Sequence, residues 1–178
     1  EPYYNGYVSP MLNEVLTKQG PAVLDACKID GTLVALPEPN TAVDGAPMIW
    51  AKQDWLDKLG LDAPKTMADA IELAYFFTNN DPDGNGEDDS FGLAANKTLW
   101  GGFAGLEGFF NGFGAYPNIW HREARGNVVY GAVQPAAKDA LAALARAYAD
   151  KVVDPEFGVK DGGKVGETAA QNKLGMEY

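Results

Sequence analysis

The chain has 178 residues, 46% hydrophobic and 22% charged, and a formal net charge of -11. That length supports one domain with a proper core, and the composition is that of an ordinary globular protein. The acidity argues against nucleic acid or an anionic membrane surface as partner, and the single Cys27 and single His121 exclude an internal disulfide and a His-based metal or triad site.

Cys27 reads as a small buried hydrophobe. No unbroken apolar run approaches a membrane span. The sequence begins without Met and stops at the apolar, strand-like KLGMEY. It is therefore expected to be an excised domain, with any compartment signal outside it.

Ser9 and Pro10 form a helix start, followed by the stripe Met11, Leu12, Val15 and Leu16. In CKIDGTLVALP, Asp30 and Gly31 separate two apolar runs, which predicts a tight hairpin whose second strand runs through Leu33, Val34 and Leu36. The turn-rich EPNTAVDGAP, residues 38–47, reads as a segment crossing between two packed units. A short strand is expected at Met48 to Ala51. After it comes a helix over QDWLDKLGL that buries Trp55, Leu56 and Leu59 and is closed by Gly60. Thr66 and Asp69 make a capping box for a helix with Met67, Ala70, Ile71, Ala74 and Phe77 on one face.

That helix leads into DPDGNGEDDSF, residues 81–91. Asp81, Asp83 and Asn85 fill positions one, three and five of a calcium loop, Gly86 fills six, Glu87 offers its carbonyl at seven and Asp89 stands at nine. A hard divalent cation needs six to eight oxygens, and a short loop supplies them by alternating ligands with turn residues. Position twelve is Gly92 where a bidentate Glu is expected. The missing ligand is left open among Asp89 binding bidentately, Ser90, Asp88, water or an acid from another segment. The bland reading of the same residues is a solvated acidic turn. The ion is expected to be structural, joining a helix end to the strand FGLAA.

Residues 96–116 interleave six glycines with aromatic residues. Phe109 and Phe110 read as core, and Trp100 as a binding ring at the C-terminal edge of a strand, where open α/β sheets hold ligands. No phosphate-binding glycine loop is present. A hairpin is expected to turn near Arg125 and Gly126 and return through Val128 to Tyr130, exposing Trp120. Gln134 and Pro135 open a helix with Ala137, Leu141, Leu144 and Tyr148 on its apolar face. A last helix over Lys164 to Gln171 and a last strand over Lys173 to Tyr178 complete an alternation of helices and short strands, which makes the class α/β.

Six phrases in order, KIDGTLVALP, IWAKQDWLDKLGL, APKTMADAIELA, DPDGNGEDDSFGL, VQPAAKDALAALARAYADKVVDPEF and GETAAQNKLGMEY, resemble the family 1 extracellular solute-binding proteins, the receptors of bacterial ABC importers for sugars and oligosaccharides. The loop phrase is similar to the subset with a structural calcium, such as alginate-oligosaccharide receptors, some of which carry an acid where this chain has Ser90. The resemblance implies one lobe of a type II periplasmic-binding-protein-like fold, a short central sheet flanked by helices. Residues 1–45 would then be the tail of a first lobe with the hinge crossing, and residues 46–178 the second lobe, which a return hinge just past Tyr178 would close. It implies capture of a saccharide in an interlobe cleft, ABC permease subunits as partners, and a place outside the cytoplasm, periplasmic or held to the membrane by a lipid anchor beyond this sequence. A sugar packs its C–H face on an aromatic ring while its hydroxyls seek amides and carboxylates. The candidate rings are Trp100, Trp120 and Tyr116, and the candidate polar partners Glu38, Asn40 and Asn96.

Two other readings compete. A calcium-stiffened, non-catalytic adhesion or scaffold module would explain the loop alone. A carbohydrate-active enzyme would need two acids from Glu38, Glu107 and Glu123, and nothing in the sequence sets any two at a glycosidase separation. The expectation is a protein without catalytic residues.

Overall fold

A computed structural model describes residues 2–39 and 45–178, and the chain separates into two units, Glu1–Ala46 and Pro47–Tyr178. In the first, α1 (Pro2–Tyr7), α2 (Pro10–Thr17) and α3 (Ala22–Asp25) precede a hairpin of β1 (Lys28–Ile29) and β2 (Thr32–Leu33). The Ser9 hydroxyl accepts from the Leu12 amide at 3.2 Å and Pro10 occupies the first turn of α2, so this helix start is the one written in the sequence. Ile29 pairs with Thr32 across Asp30 and Gly31, both at positive φ, the turn that suits the strand twist. The second strand ends at Leu33 rather than Leu36, because the first strand offers only two residues to pair with. Cys27 is half-buried rather than buried, at the start of this hairpin.

The second unit is organised by a three-stranded sheet in the order β3 (Trp50–Ala51), β7 (Leu174–Glu177), β4 (Phe91–Leu93). β7, the last strand of the chain, lies in the centre. It runs antiparallel to β3, pairing Glu177 with Trp50, and parallel to β4, pairing Leu174 with Phe91 and Met176 with Leu93. A bridge from Leu93 to Val153 covers the outer side of β4. The strand expected over Met48 to Ala51 is thus confined to its last two residues, where β7 gives it a partner.

α4 (Gln53–Leu59) buries Trp55 and Leu56 and stops at Gly60, whose left-handed backbone ends the helix as the sequence predicted. α5 (Met67–Asn79) starts in a full capping box. Thr66 Oγ1 accepts from the Asp69 amide at 3.1 Å, and Asp69 Oδ2 accepts from the Thr66 amide at 2.9 Å. Its buried residues Ala70, Leu73, Ala74 and Phe77 face the sheet, and Phe77 meets the edge of the Trp55 indole with centroids 5.3 Å apart. α6 (Glu107–Gly112) adds Phe109 and Phe110 to this core. α8 (Gly162–Ala170) closes a second, smaller cluster of Ala94, Ala104, Val165 and Leu174. Among the described residues no helix is long and apolar enough to cross a membrane.

α7 (Pro135–Ala149) differs from expectation. Its buried positions are Ala137, Ala140 and Ala147, while Leu141 and Tyr148 are 52% and 45% exposed. The apolar stripe read from the large side chains is rotated from the true contact face, which is made of alanines with Leu144 half-buried beside them. Leu141 and Tyr148 instead line an outer groove with Phe157, whose ring stands edge-on to Tyr148 at 5.6 Å.

Two glycines let α5 lie against the strands. A Cβ on Gly92 would fall 1.9 Å from the Ala74 carbonyl oxygen, and one on Gly175 would fall 2.2 Å from the Phe77 ring. Neither neighbour is the free end of a flexible chain. Gly92→Ala and Gly175→Ala are each expected to cost about 3 kcal/mol or more in urea unfolding. Gly166→Ala, in α8 with open space around it, should gain about 0.5–1 kcal/mol.

Candidate functional site

Two features of the second unit stand apart from its core: the acidic loop before β4 and a hollow beside the ends of β3 and β7. The loop begins where α5 has ended and Asp81 turns to a positive φ of 42°. The Asp81 carboxylate sits inside the turn. Its Oδ1 accepts from the amides of Gly84 at 2.9 Å and Asn85 at 3.1 Å, and its Oδ2 from that of Gly86 at 3.1 Å. Asn85 Nδ2 donates to both Asp83 Oδ2 at 2.9 Å and Asp89 Oδ1 at 3.0 Å, so one amide nitrogen ties positions three and nine together. Glu87, at position seven, is exposed and its own amide donates to Asn85 Oδ1.

Desolvation works against ionisation of Asp81, yet hydrogen bonding with Asp83 and from the Gly86, Gly84 and Asn85 amides outweighs it and lowers its pKa. Asp83 moves the other way. Desolvation, the shared hydrogen bond with Asp81, and repulsion from Asp89 and Asp81 raise its pKa. Carboxylates that crowd one another in this way present a surplus of negative charge on hard oxygen atoms, the donor chemistry of a calcium or magnesium site. Ser90, next after Asp89, has a buried hydroxyl with no hydrogen-bond partner. The loop residues therefore fit a hard cation in donor type. In their present arrangement, however, no three Asp, Glu, His or Cys side chains among the described residues form a ready ligand set. Gly92 has its own reason to occupy position twelve. Any side chain there would strike Ala74, so a twelfth-position Glu is sterically barred.

The hollow, of ≈ 350 Å³, is lined by Trp50, Lys52, Phe103, Ala169, Leu174 and Glu177 among others. β4 and β7 are parallel, and Phe103 belongs to the loop that follows β4 while Glu177 ends β7, so these two stand at the C-terminal ends of the parallel pair. Trp50 is 63% exposed and Phe103 39%. Glu177 Oε2 is buried without a partner, and desolvation raises the pKa of its carboxyl. Lys52 does not answer it. Its ammonium donates to Asn172 Oδ1, pairs with Asp54 at 3.4 Å and lies 4.9 Å from the centre of the Trp55 ring.

The loop that presents Phe103 is backbone-strained and pinned. Leu99, Gly101, Gly102 and Ala104 all have positive φ, which costs energy at Leu99 and Ala104 and clusters at functional sites. Asn96, 3% exposed, holds it. Asn96 Oδ1 accepts from the Thr98 amide at 3.0 Å and the Thr98 hydroxyl at 2.6 Å, while Nδ2 donates to the carbonyls of Gly101 at 3.2 Å and Phe103 at 2.9 Å. Glu107 Oε1 accepts from the Gly101 amide at 2.5 Å.

The residues singled out from sequence are thus dispersed. Asn96, expected as a ligand partner, is instead consumed in shaping this loop. Trp100 is half-buried against Phe110, with centroids 5.1 Å apart. Trp120, 69% exposed, opens β5 (Trp120–Arg122) and stacks at a tilt on Tyr130 at the end of β6 (Val128–Tyr130), 5.2 Å away. Tyr116 meets the edge of His121, 5.5 Å away. Glu38 is exposed in the first unit, and Asn40 lies outside the described residues. Sequence reasoning missed Trp50, Phe103 and Glu177, and also Tyr130 as the partner of Trp120. The signals were a charged residue inside the otherwise apolar LGMEY, and a hairpin register that sets residue 120 opposite 130.

No protein-family model matches the chain. It is 32% identical over 128 residues to the polygalacturonan/rhamnogalacturonan-binding protein YtcQ of Bacillus subtilis (strain 168), covering 70% of this chain and 24% of that one. It is 27% identical over 180 residues to Lipoprotein LipO of the same organism, covering 95% and 34%. The chain therefore spans about a third or less of the length of these relatives. Among solved structures, the S. pneumoniae ABC-transporter substrate-binding protein FusA in complex with kestose superposes with a TM-score of 0.61 at 28% identity, covering 73% of this chain and 26% of that one. A FusA EF-hand mutant in complex with fructo-nystose superposes with a TM-score of 0.60 at 27% identity, with the same coverage. The mixed α/β fold, small sheets flanked by helices, is shared with these receptors.

Glu177 carries a pH dependence whose sign follows from its burial. A carboxyl with a raised folded pKa contributes most below its unfolded pKa, and that contribution is lost as pH rises through the folded value. Glu177→Gln removes the ionisation. The variant should melt at a higher temperature than the parent at neutral pH, with the gap closing in acid. A lower melting temperature at neutral pH would show that the carboxylate has a partner.

Proposed function

We propose that this chain is part of the extracytoplasmic substrate-binding component of an ABC importer, that it binds an oligosaccharide, and that it catalyses no reaction. The observation that carries this reading is the hollow beside β3 and β7, whose lining brings together the exposed rings of Trp50 and Phe103 and Glu177, one of whose carboxylate oxygens has no partner. A sugar suits those three groups together: its C–H faces pack on Trp50 and Phe103, and a hydroxyl donates to Glu177. The relatives support it, since FusA is described with kestose and YtcQ as binding polygalacturonan and rhamnogalacturonan. Trp120, Tyr130 and Tyr116 offer further ring surface on the hairpin.

In this reading the first unit continues into one lobe of a two-lobed receptor, residues 46–178 form the second lobe, and permease subunits receive the loaded protein. The compartment is outside the cytoplasm, with a lipid anchor as in a lipoprotein. Two of the acids an enzyme would need are otherwise engaged: Glu107 holds the Gly101 amide, and Glu123 accepts from Asn127 Nδ2 at 2.6 Å.

The proposal includes a structural calcium in the loop before β4. Asp81, Asp83, Asn85 and Asp89 would hold it through side-chain oxygens and Glu87 through its carbonyl, with the Ser90 hydroxyl available as a further oxygen. The ion would neutralise the carboxylate surplus and fix the end of α5 to the start of β4. The EF-hand of FusA supports this assignment by analogy.

Isothermal titration of the full-length protein with a panel of neutral and acidic oligosaccharides tests the binding reading. Trp50→Ala and Phe103→Ala should each weaken the best ligand on the order of tenfold, a loss typical of a buried aromatic anchor. No heat with any saccharide overturns it. Chelation by EGTA should lower the melting temperature by several degrees and added calcium should restore it. An unchanged melt removes the ion from the account.

A further inference from the structure

Resting on the calcium reading above, we infer that Lys173 is a built-in competitor of the cation: its ammonium holds Asp89 when the loop is metal-free, and the metal must displace or oppose it to bind. Lys173 Nζ lies 2.5 Å from Asp89 Oδ2, with both side chains about two-thirds buried. The pair spans the gap between the loop exit and the residue just before β7. The Lys173 backbone is fixed on the same spot from both sides, since its carbonyl accepts from the Phe91 amide at 2.8 Å and its amide donates to the Thr168 carbonyl at 3.2 Å. The ammonium is therefore anchored within reach of a ninth-position carboxylate.

A carboxylate that ligates a divalent cation while touching an ammonium brings two positive centres within a few ångströms of each other, where they repel. The lysine stabilises the loop without metal and weakens the affinity for metal. Asn85 reinforces the metal-free arrangement by aiming its amide nitrogen, a donor, at Asp83 and Asp89. Lys58 provides the contrast. It grips the entry of the loop through the carbonyls of Pro82 at 2.8 Å and Asp81 at 3.3 Å and touches no carboxylate of the loop. Lys58 supports the loop whether or not metal is present; Lys173 supports it only without.

The full-length protein and its Lys173→Met, Lys173→Arg and Lys58→Met variants are compared by calcium titration calorimetry and by melting in EGTA and in saturating calcium. Lys173→Met should bind calcium about two- to fivefold more tightly, the scale of a partly exposed ion pair. It should melt lower than the parent in EGTA and match it in calcium. Lys173→Arg keeps the charge and should show no gain in affinity, and Lys58→Met should melt lower under both conditions. Lys173→Gln is expected to repeat both signs of Lys173→Met, which secures the result against a folding defect peculiar to one side chain. Calcium affinity that is unchanged or weaker in the Met and Gln variants overturns the inference and leaves the calcium site standing. No calcium heat in the parent or the variants overturns both.

Discussion

The close passage of β4 and β7 under α5 is the constraint on which the second unit depends. Gly92 against the Ala74 carbonyl and Gly175 against the Phe77 ring bring α5, by its backbone at one strand and by a ring at the other, nearer than any residue with a side chain would permit. Once that distance is set, much else follows. β7 is held in the middle of the sheet, Phe77 can reach the Trp55 indole, and the acidic loop must cover the short span from the end of α5 to Phe91. The loop consequently reaches β4 by position eleven, and position twelve has no room for a side chain. The glycine at position twelve is thus accounted for by helix-on-strand packing.

Features set by local chemistry were legible in the sequence. The capping box of α5, the Pro10 helix start, the Asp30–Gly31 turn and the left-handed stop at Gly60 each depend on a few adjacent residues, and each is present. Features set by partners far along the chain were not. The lengths of β2 and β3 are decided by the strand opposite, and the contact face of α7 by how near the core lies, which selected alanines over leucines. Asn96 shows the same limit at the site. Its type and its place after a strand suggest ligand contact, while its four hydrogen bonds are all spent on its own loop. Trp50, Phe103 and Glu177 converge only through the order of the sheet and the fold of a strained loop, neither of which periodicity encodes.

β7 connects the two features of interest by the shortest route. Lys173 precedes its first residue, and the hollow runs along the strand from Leu174 to Glu177, so the acidic loop is tied to the start of the strand that forms one wall of the hollow. Asp89, Lys173 and Phe91 clasp one end of it, while Trp50 pairs with the other. The loop acts on the hollow by holding this strand in place and contributes no atom to it.

The alanine face of α7 also bears on how the protein can change over time. Because the helix meets the core mainly through methyl groups, with Leu144 half-buried beside them, the sheet takes little information from the outer face of that helix. The exposed Leu141 and Tyr148 can therefore diversify under mutation while the architecture beneath stays constant. One flank of the molecule is free to evolve a new outer surface without renegotiating the interior.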